Sequence, residues 1–247
     1  MSAMSTSTLK VVPAGSRMHT KIDWLDSWHS FSFGEHYDPA NTHHGLLLVS
    51  NDDLIAPGRG FGTHGHRDME IITWVLDGSL RHEDSIGTSD VITPGLAQRM
   101  TAGSGIRHSE VNANATEPVH LVQMWVPPDT TGLTPEYEQT DVSDRLAKGG
   151  MFPLASGRES DAAIKIHQRD ATLWVARVAA GDEVVVPEAP FVHVFVARGD
   201  AAFTARLEEG LLAEGDAVRL AGEESLTLRA GAEGAEILIW ETHSQVR

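Results

Sequence analysis

The chain has 247 residues, and 19 basic against 35 acidic side chains give a formal charge of -16. That surplus argues against a grip on phosphate backbones or attachment to an anionic membrane surface. The absence of cysteine excludes disulfides, thiolate nucleophiles, iron–sulfur clusters and cysteine zinc sites. Any metal must be held by His, Asp or Glu, and 13 His are present.

Residues 1–8 are Ser/Thr-rich and lack an apolar run, so no signal peptide is expected. No stretch approaches the ~20 apolar residues of a membrane span, which leaves a soluble, cytoplasmic protein as the expectation. Short apolar runs at 46–49, 71–76, 119–126, 191–197 and 237–240 predict strands. Asp77-Gly78 between two such runs predicts a hairpin. Residues 136–148 have room for a short helix that stops at Gly149-Gly150. Many short strands at turn-like spacing favour an all-β sandwich or barrel. Pro127-Pro128-Asp129 and the mixed stretch after it read as a connector, which divides the chain into residues 1–135 and 136–247. A weak repeat supports two domains: a strand, a Gly turn, a strand and a later Ala-Gly turn occur around 74–80 and 100–105, and again around 195–201 and 228–234. The second copy lacks the histidines of the first.

Thr63-His64-Gly65-His66 places two imidazoles two residues apart, on one face of an extended strand. His108-Ser109-Glu110 repeats that geometry with an imidazole and a carboxylate. A lone His-x-His arises by chance; two such elements in Gly-rich β context favour a metal. Three neutral imidazoles and a carboxylate suit Fe(II), and also Mn, Co, Ni, Cu or Zn. Because His must be neutral to ligate, acid is expected to strip such a site below the usual imidazole pKa of about 6.5. His19, His29, His36, His82, His167, His193 and His243 have no partner at ligand spacing and read as surface or core residues. His43-His44 read as loop residues, and His120 sits on a predicted strand with pocket, core and surface roles all open.

The run Gly58-Arg59-Gly60-Phe61-Gly62-Thr63-His64-Gly65-His66-Arg67-Asp68-Met69-Glu70, followed by Gly78, resembles the first cupin motif. More narrowly, it resembles the pirin family, as do residues 24–33 (WLDSWHSFSF), 100–110 (MTAGSGIRHSE) and 132–139 (GLTPEYEQ), in that family's order. The resemblance covers roughly the first half of the chain; the second half matches only in general β character. It implies a bicupin: two β-sandwich barrels of RmlC-like jelly-roll type, packed face to face with few short helices. Residues 1–135 would form a metal-binding cupin domain and residues 136–247 a degenerate one without metal.

By that resemblance the ligands of one divalent metal, usually iron, fall on His64, His66, His108 and Glu110. Glu70 competes with Glu110, because positions 64, 66, 68 and 70 share a face unless a bulge intervenes. Gly65, where many relatives carry Pro, is expected to loosen a turn. The activity implied is that of a quercetin 2,3-dioxygenase, which opens a flavonol with O2 and releases carbon monoxide. Glu110 would help to take the 3-hydroxyl proton. Phe61, Trp74, Met100, Met124 and Trp125 are candidates to flank a planar substrate, with plain packing as the competing role. The alternative is an iron-dependent redox-sensing regulator that binds a transcription factor or metabolic enzyme. A metal-assisted isomerase or sugar-modifying cupin is a third reading, against which the 24–33 and 100–110 segments weigh. The expected partners are a small aromatic substrate such as a flavonol and O2, with neither nucleic acid nor membrane, on a monomeric protein.

Overall fold

A computed structural model describes residues 7–206, 208–222 and 224–246. The expectation for the N-terminal stretch therefore falls mostly outside the described residues. No helix among them is long and apolar enough to cross a membrane.

The first half of the chain supplies β1 (Thr8–Val12), β2 (Met18–Lys21), β3 (Leu25–His29), β4 (Val49–Ile55), β5 (Gly60–His66), β6 (Glu70–Asp77), β7 (Leu80–Asp84), β8 (Ser89–Ile92), β9 (Leu96–Thr101), β10 (Ile106–Asn112), β11 (Val119–Val126) and β12 (Glu136–Asp141). A seven-stranded sheet, β12-β9-β6-β11-β4-β3-β2, packs on a four-stranded sheet, β5-β10-β7-β8. Strand β6 shows why the larger sheet lies at the centre of the molecule. Its side chains alternate between faces. Ile71 and Val75 enter the first sandwich, whereas Ile72, Trp74 and Leu76 enter the core shared with the second. Burial on both faces accounts for the unbroken apolar run at 71–76.

The second half adds α1 (Ser143–Ala147), β13 (Gly150–Ser156), β14 (Ile164–Lys165), β15 (Ala171–Val178), β16 (Glu183–Val186), β17 (Phe191–Ala205), β18 (Glu209–Leu212), β19 (Ala217–Ala221) and β20 (Leu226–Thr242). They form one sheet in the order β1-β19-β17-β20-β15-β13-β14, with β16 added to β20 and β18 to β17. The long pair β17 and β20 folds this sheet over its own core, through register shifts at Val196/Arg198 and Gly199/Ala201. By sheet membership β1 belongs to the second domain and β12 to the first.

The two domains meet through one apolar cluster that includes Trp74, Met124 and Leu76 from the first and Leu173, Phe195 and Trp240 from the second. Trp240 Nε1 donates to Met124 Sδ at 3.3 Å. Trp74 Nε1 donates to Glu236 Oε1 at 2.7 Å, and Arg177 holds the other oxygen of that carboxylate. This is the expected all-β, two-domain architecture, with one correction: the sheets are sandwich-like and do not close into barrels.

Several local expectations are also corrected. Residues 44–47 form a tight turn closed by the His44–Leu47 bridge, Leu48 follows it, and β4 begins only at Val49. Asp77-Gly78 does not close a hairpin; it carries the chain from β6 in one sheet to β7 in the other. Residues 136–141 form a strand on β9, which leaves only Ser143–Ala147 helical. Gly199 and Ala230-Gly231 are not turns but irregular points within β17 and β20. At Gly199 φ is +75°, and a Cβ would overlap the Gly234 carbonyl, so a bent antiparallel pair selects glycine as strongly as a turn does.

Candidate metal centre and its cleft

Strands β5 and β10 pair with His64 opposite His108 and His66 opposite Ile106. Beyond His108 the register shifts, and Glu110 lies opposite Phe61. Two residues of β5 oppose Ser109 alone, so the irregularity sits beside the histidines. A bulge of this kind re-aims side chains. Gly60 makes it possible, since any Cβ there would overlap the Glu110 carbonyl oxygen.

Three imidazoles converge. Ring centroids lie 4.8 Å apart for His64–His66, 4.5 Å for His64–His108 and 4.9 Å for His66–His108. Their nitrogens, one from each ring, lie within 4.8 Å of one another. Glu110 belongs to a second, overlapping group with His82 and His108. The four residues named from the sequence thus occupy one neighbourhood, with His108 shared by both groups.

Hydrogen bonds fix which nitrogen each ring presents. His64 Nδ1 donates to the Gly62 carbonyl at 2.8 Å, which leaves Nε2 as the free lone pair. His82 Nε2 donates to Asp84 Oδ2 at 3.1 Å, so His82 Nδ1 accepts from His108 Nδ1 at 3.4 Å. That relay leaves His108 Nε2 buried with no hydrogen-bond partner among the described residues. Such an orphaned atom fits a ligand facing a cation. Burial and the neighbouring imidazoles lower the pKa of His66 to about 4 and that of His108 to about 3. Both rings are neutral at pH 7, as ligation requires, and for these two acid competition sets in below the free-imidazole value. Glu110 Oε2 accepts from Gln123 Nε2 at 2.8 Å, and Gln123 Oε1 accepts from Trp125 Nε1 at 3.1 Å.

Glu70 points elsewhere. Asp68 breaks the strand with φ +50°, so the parity that would carry Glu70 onto the histidine face is lost. Its carboxylate accepts from Thr101 Oγ1 at 3.0 Å and from the His167 backbone N–H at 3.2 Å. Burial raises its pKa. Asp68 also accepts from Gly132 N at 2.6 Å, and Ser104 N donates to the Leu133 carbonyl at 2.7 Å. The 132–139 segment therefore clips both turns that flank the centre. Gly65 lies within β5 opposite Arg107, not in a turn.

A cavity of about 790 Å³ opens over His64, His66 and Glu110. Trp24, Leu25, Phe33, Phe61 and Trp125 give it apolar walls. Of the five flanking candidates, Phe61 and Trp125 line it, while Trp74, Met100 and Met124 are buried in cores. Alternation on β11 makes the division: Val122, Met124 and Val126 face the second domain, and Gln123 and Trp125 face the cleft.

Sequence reasoning passed over four residues here. His82 and Asp84 carry the same i, i+2 spacing as the two recognised pairs. His29 and His36 line the cleft, although nothing in their spacing signals it. His120 instead bonds Asp52 at 2.7 Å, and the remaining histidines stay in the surface and core roles expected of them.

The family signature described as Pirin matches residues 12–126, and one described as Quercetinase C-terminal cupin domain matches residues 153–242. A Mycobacterium tuberculosis (strain H37Rv) protein, provisionally named a quercetin 2,3-dioxygenase, is 53% identical over 242 residues, 98% of each chain. An Escherichia coli K12 protein named quercetin 2,3-dioxygenase is 46% identical over 155 residues, 63% of this chain and 66% of that one. The structure of a bacterial pirin from Escherichia coli in complex with nickel(II) aligns with a TM-score of 0.86 at 35% identity, over 97% of this chain and 100% of that one. Sequence similarity along nearly the whole chain and agreement in fold lead to one assignment: this chain belongs to the pirin family.

Proposed function

We propose that the protein is a metal-dependent dioxygenase of the quercetin 2,3-dioxygenase type, with His64, His66, His108 and Glu110 as the ligands of one divalent metal. The observation that carries this reading is the convergence of three imidazoles beside Glu110 at the floor of an aromatic-walled cleft. The names of the relatives support it. The donor set fits iron(II) first, and Mn, Co, Ni, Cu and Zn share its preferences. When bound, such an ion supplies a Lewis-acidic, redox-capable point for a chelating oxygen substrate and O2.

The protein's own residues do the rest. Trp24, Phe33, Phe61 and Trp125 hold a planar aromatic substrate and exclude water. Gln123 engages one oxygen of Glu110, which leaves the carboxylate a second oxygen at which to ligate or to take the proton of the substrate's chelating hydroxyl. Asp84 and His82 hold His108 in the tautomer that presents Nε2. The metal role belongs to the first domain, and the second completes the shared core.

Iron(II)-loaded protein mixed with quercetin in air is expected to bleach the flavonol band, consume O2 and release carbon monoxide in equal amounts. Absence of turnover with every divalent metal in the series would overturn the assignment.

A further inference from the structure

The 24–33 segment resembles its family strongly, yet the metal centre uses none of its polar residues. Its His29 forms, with Thr20 and His36 from outside the segment, a second polar group in the same cleft. His29, on β3, is buried; Thr20, on β2, and His36, in the loop that follows β3, are half-buried, and all three line the cavity. Proton positions along this group are determined link by link. Asn51 Oδ1 lies 2.9 Å from His29 Nδ1 and accepts its proton. His29 Nε2 is then an acceptor and takes the Thr20 hydroxyl proton at 2.9 Å. The Thr20 oxygen in turn accepts from His36 Nε2 at 3.0 Å. Among the described residues no hydrogen bond engages Nδ1 of His36, a residue that lines the cleft. Beside this chain, Ser27 donates to the buried carboxyl of Asp53, which also lines the cavity.

Aromatic rings connect this group to the metal centre. His66 meets Trp125 at 4.9 Å, Trp125 meets Phe33 at 5.6 Å, Phe33 stacks on His29 at 5.2 Å, and His29 lies 5.5 Å from His36. The cleft is therefore polar at two ends and apolar between. That pattern suits a rigid, planar molecule that chelates at one end and carries hydroxyl donors at the other.

We infer that Thr20 and His36 are specificity-determining residues: His36 Nδ1 accepts a hydrogen bond from a hydroxyl on the remote ring of an aromatic substrate, and Thr20 holds His36 in the required tautomer. The inference rests on the substrate class proposed above and adds a preference within it. A site with a fixed acceptor discriminates against a ligand that lacks the matching hydroxyl, because the acceptor is then desolvated and left unpaired.

The test measures binding of three flavonols to metal-loaded protein under argon, by quenching of tryptophan fluorescence. Quercetin carries two hydroxyls on its pendant ring, kaempferol one and galangin none. Wild-type affinity is expected to fall about five- to tenfold from quercetin to galangin. His36→Leu and Thr20→Val should bring the three within about twofold by weakening quercetin relative to galangin. Thr20→Ser, which keeps the hydroxyl, should restore the gradient. A gradient that survives in His36→Leu overturns the inference, as does equal weakening of all three flavonols. If wild type binds all three equally, the substrate class stands and this inference falls. If it binds none, the substrate class itself fails and takes the inference with it.

Discussion

At the scale of single residues, the centre depends on which ring nitrogen each histidine offers. His108 presents Nε2 only while His82 accepts at Nδ1, and His82 does so only while Asp84 takes its Nε2 proton. Asp84→Asn would put an amide donor against a donor and reverse the relay. Partners of this type typically contribute 10–100-fold to metal affinity. Asp84→Asn and His82→Ala are therefore each expected to weaken metal binding by about that factor, as read by competition with a chromogenic chelator. The carboxylates make a second contrast. Glu110→Gln should lose bound metal on dialysis, whereas Glu70→Gln, which alters only the contacts to Thr101 and the His167 amide, should retain it. Elemental analysis of the two variants decides, and the opposite result would replace the ligand set. The pairs at 64/66 and 108/110 were legible in the sequence because strand geometry turns i, i+2 into a shared face. His82-x-Asp84 obeys the same rule, but a carboxylate in a charged run reads first as solvated surface. His29 and His36 were not legible, since Thr20 brings them together only after β2 and β3 have paired.

At the scale of elements, the irregular pairing of β5 with β10 decides whether Glu110 reaches the histidines. Gly60→Ala would force a methyl group into the Glu110 carbonyl. Overpacking of this kind costs about 1–3 kcal/mol. The expected outcome is a lower midpoint in thermal unfolding together with weaker metal binding. A loss of stability with unchanged metal affinity would separate the bulge from the site. Alternation along β6 and β11 was readable in the sequence as a buried strand, yet which face met which core was not. Turn chemistry was readable too, but it is silent on destination. Asp77-Gly78 reads as a hairpin turn but delivers the chain to the opposite sheet.

At the scale of the whole molecule, buried imidazoles set the response to acid. Burial lowers the pKa of His44 and His66 to about 4, that of His108 to about 3 and that of His193 well below its ordinary value. Their unfolded counterparts titrate near 6.5. As pH falls below that value the unfolded chain takes up protons that the native state refuses, so native stability drops. Three groups oppose this, one of them Glu70, whose pKa burial raises. Asp53, raised to about 7 by burial, keeps its proton in the native state, and its stabilisation fades as pH rises through about 4–7. Burial works against the charged form of His120, but the hydrogen bond it donates to Asp52 prevails and raises its pKa, so it too favours the acid side. The four histidines outweigh these three, and the thermal midpoint of metal-free protein is expected to fall steadily from pH 7 to pH 4. A midpoint that holds level or rises over that range would contradict the burial of those rings.

The exchange of β1 into the second domain's sheet has a consequence for biosynthesis. Thr8 pairs with Ala221 and Val12 with Ala217, so β1 must wait for a strand that is synthesised long after it. Until then the edge of β19 does not exist, and the leading strand has no native partner. Pairing of this segment with β19 ties the chain's first described strand to the far lobe as a strap.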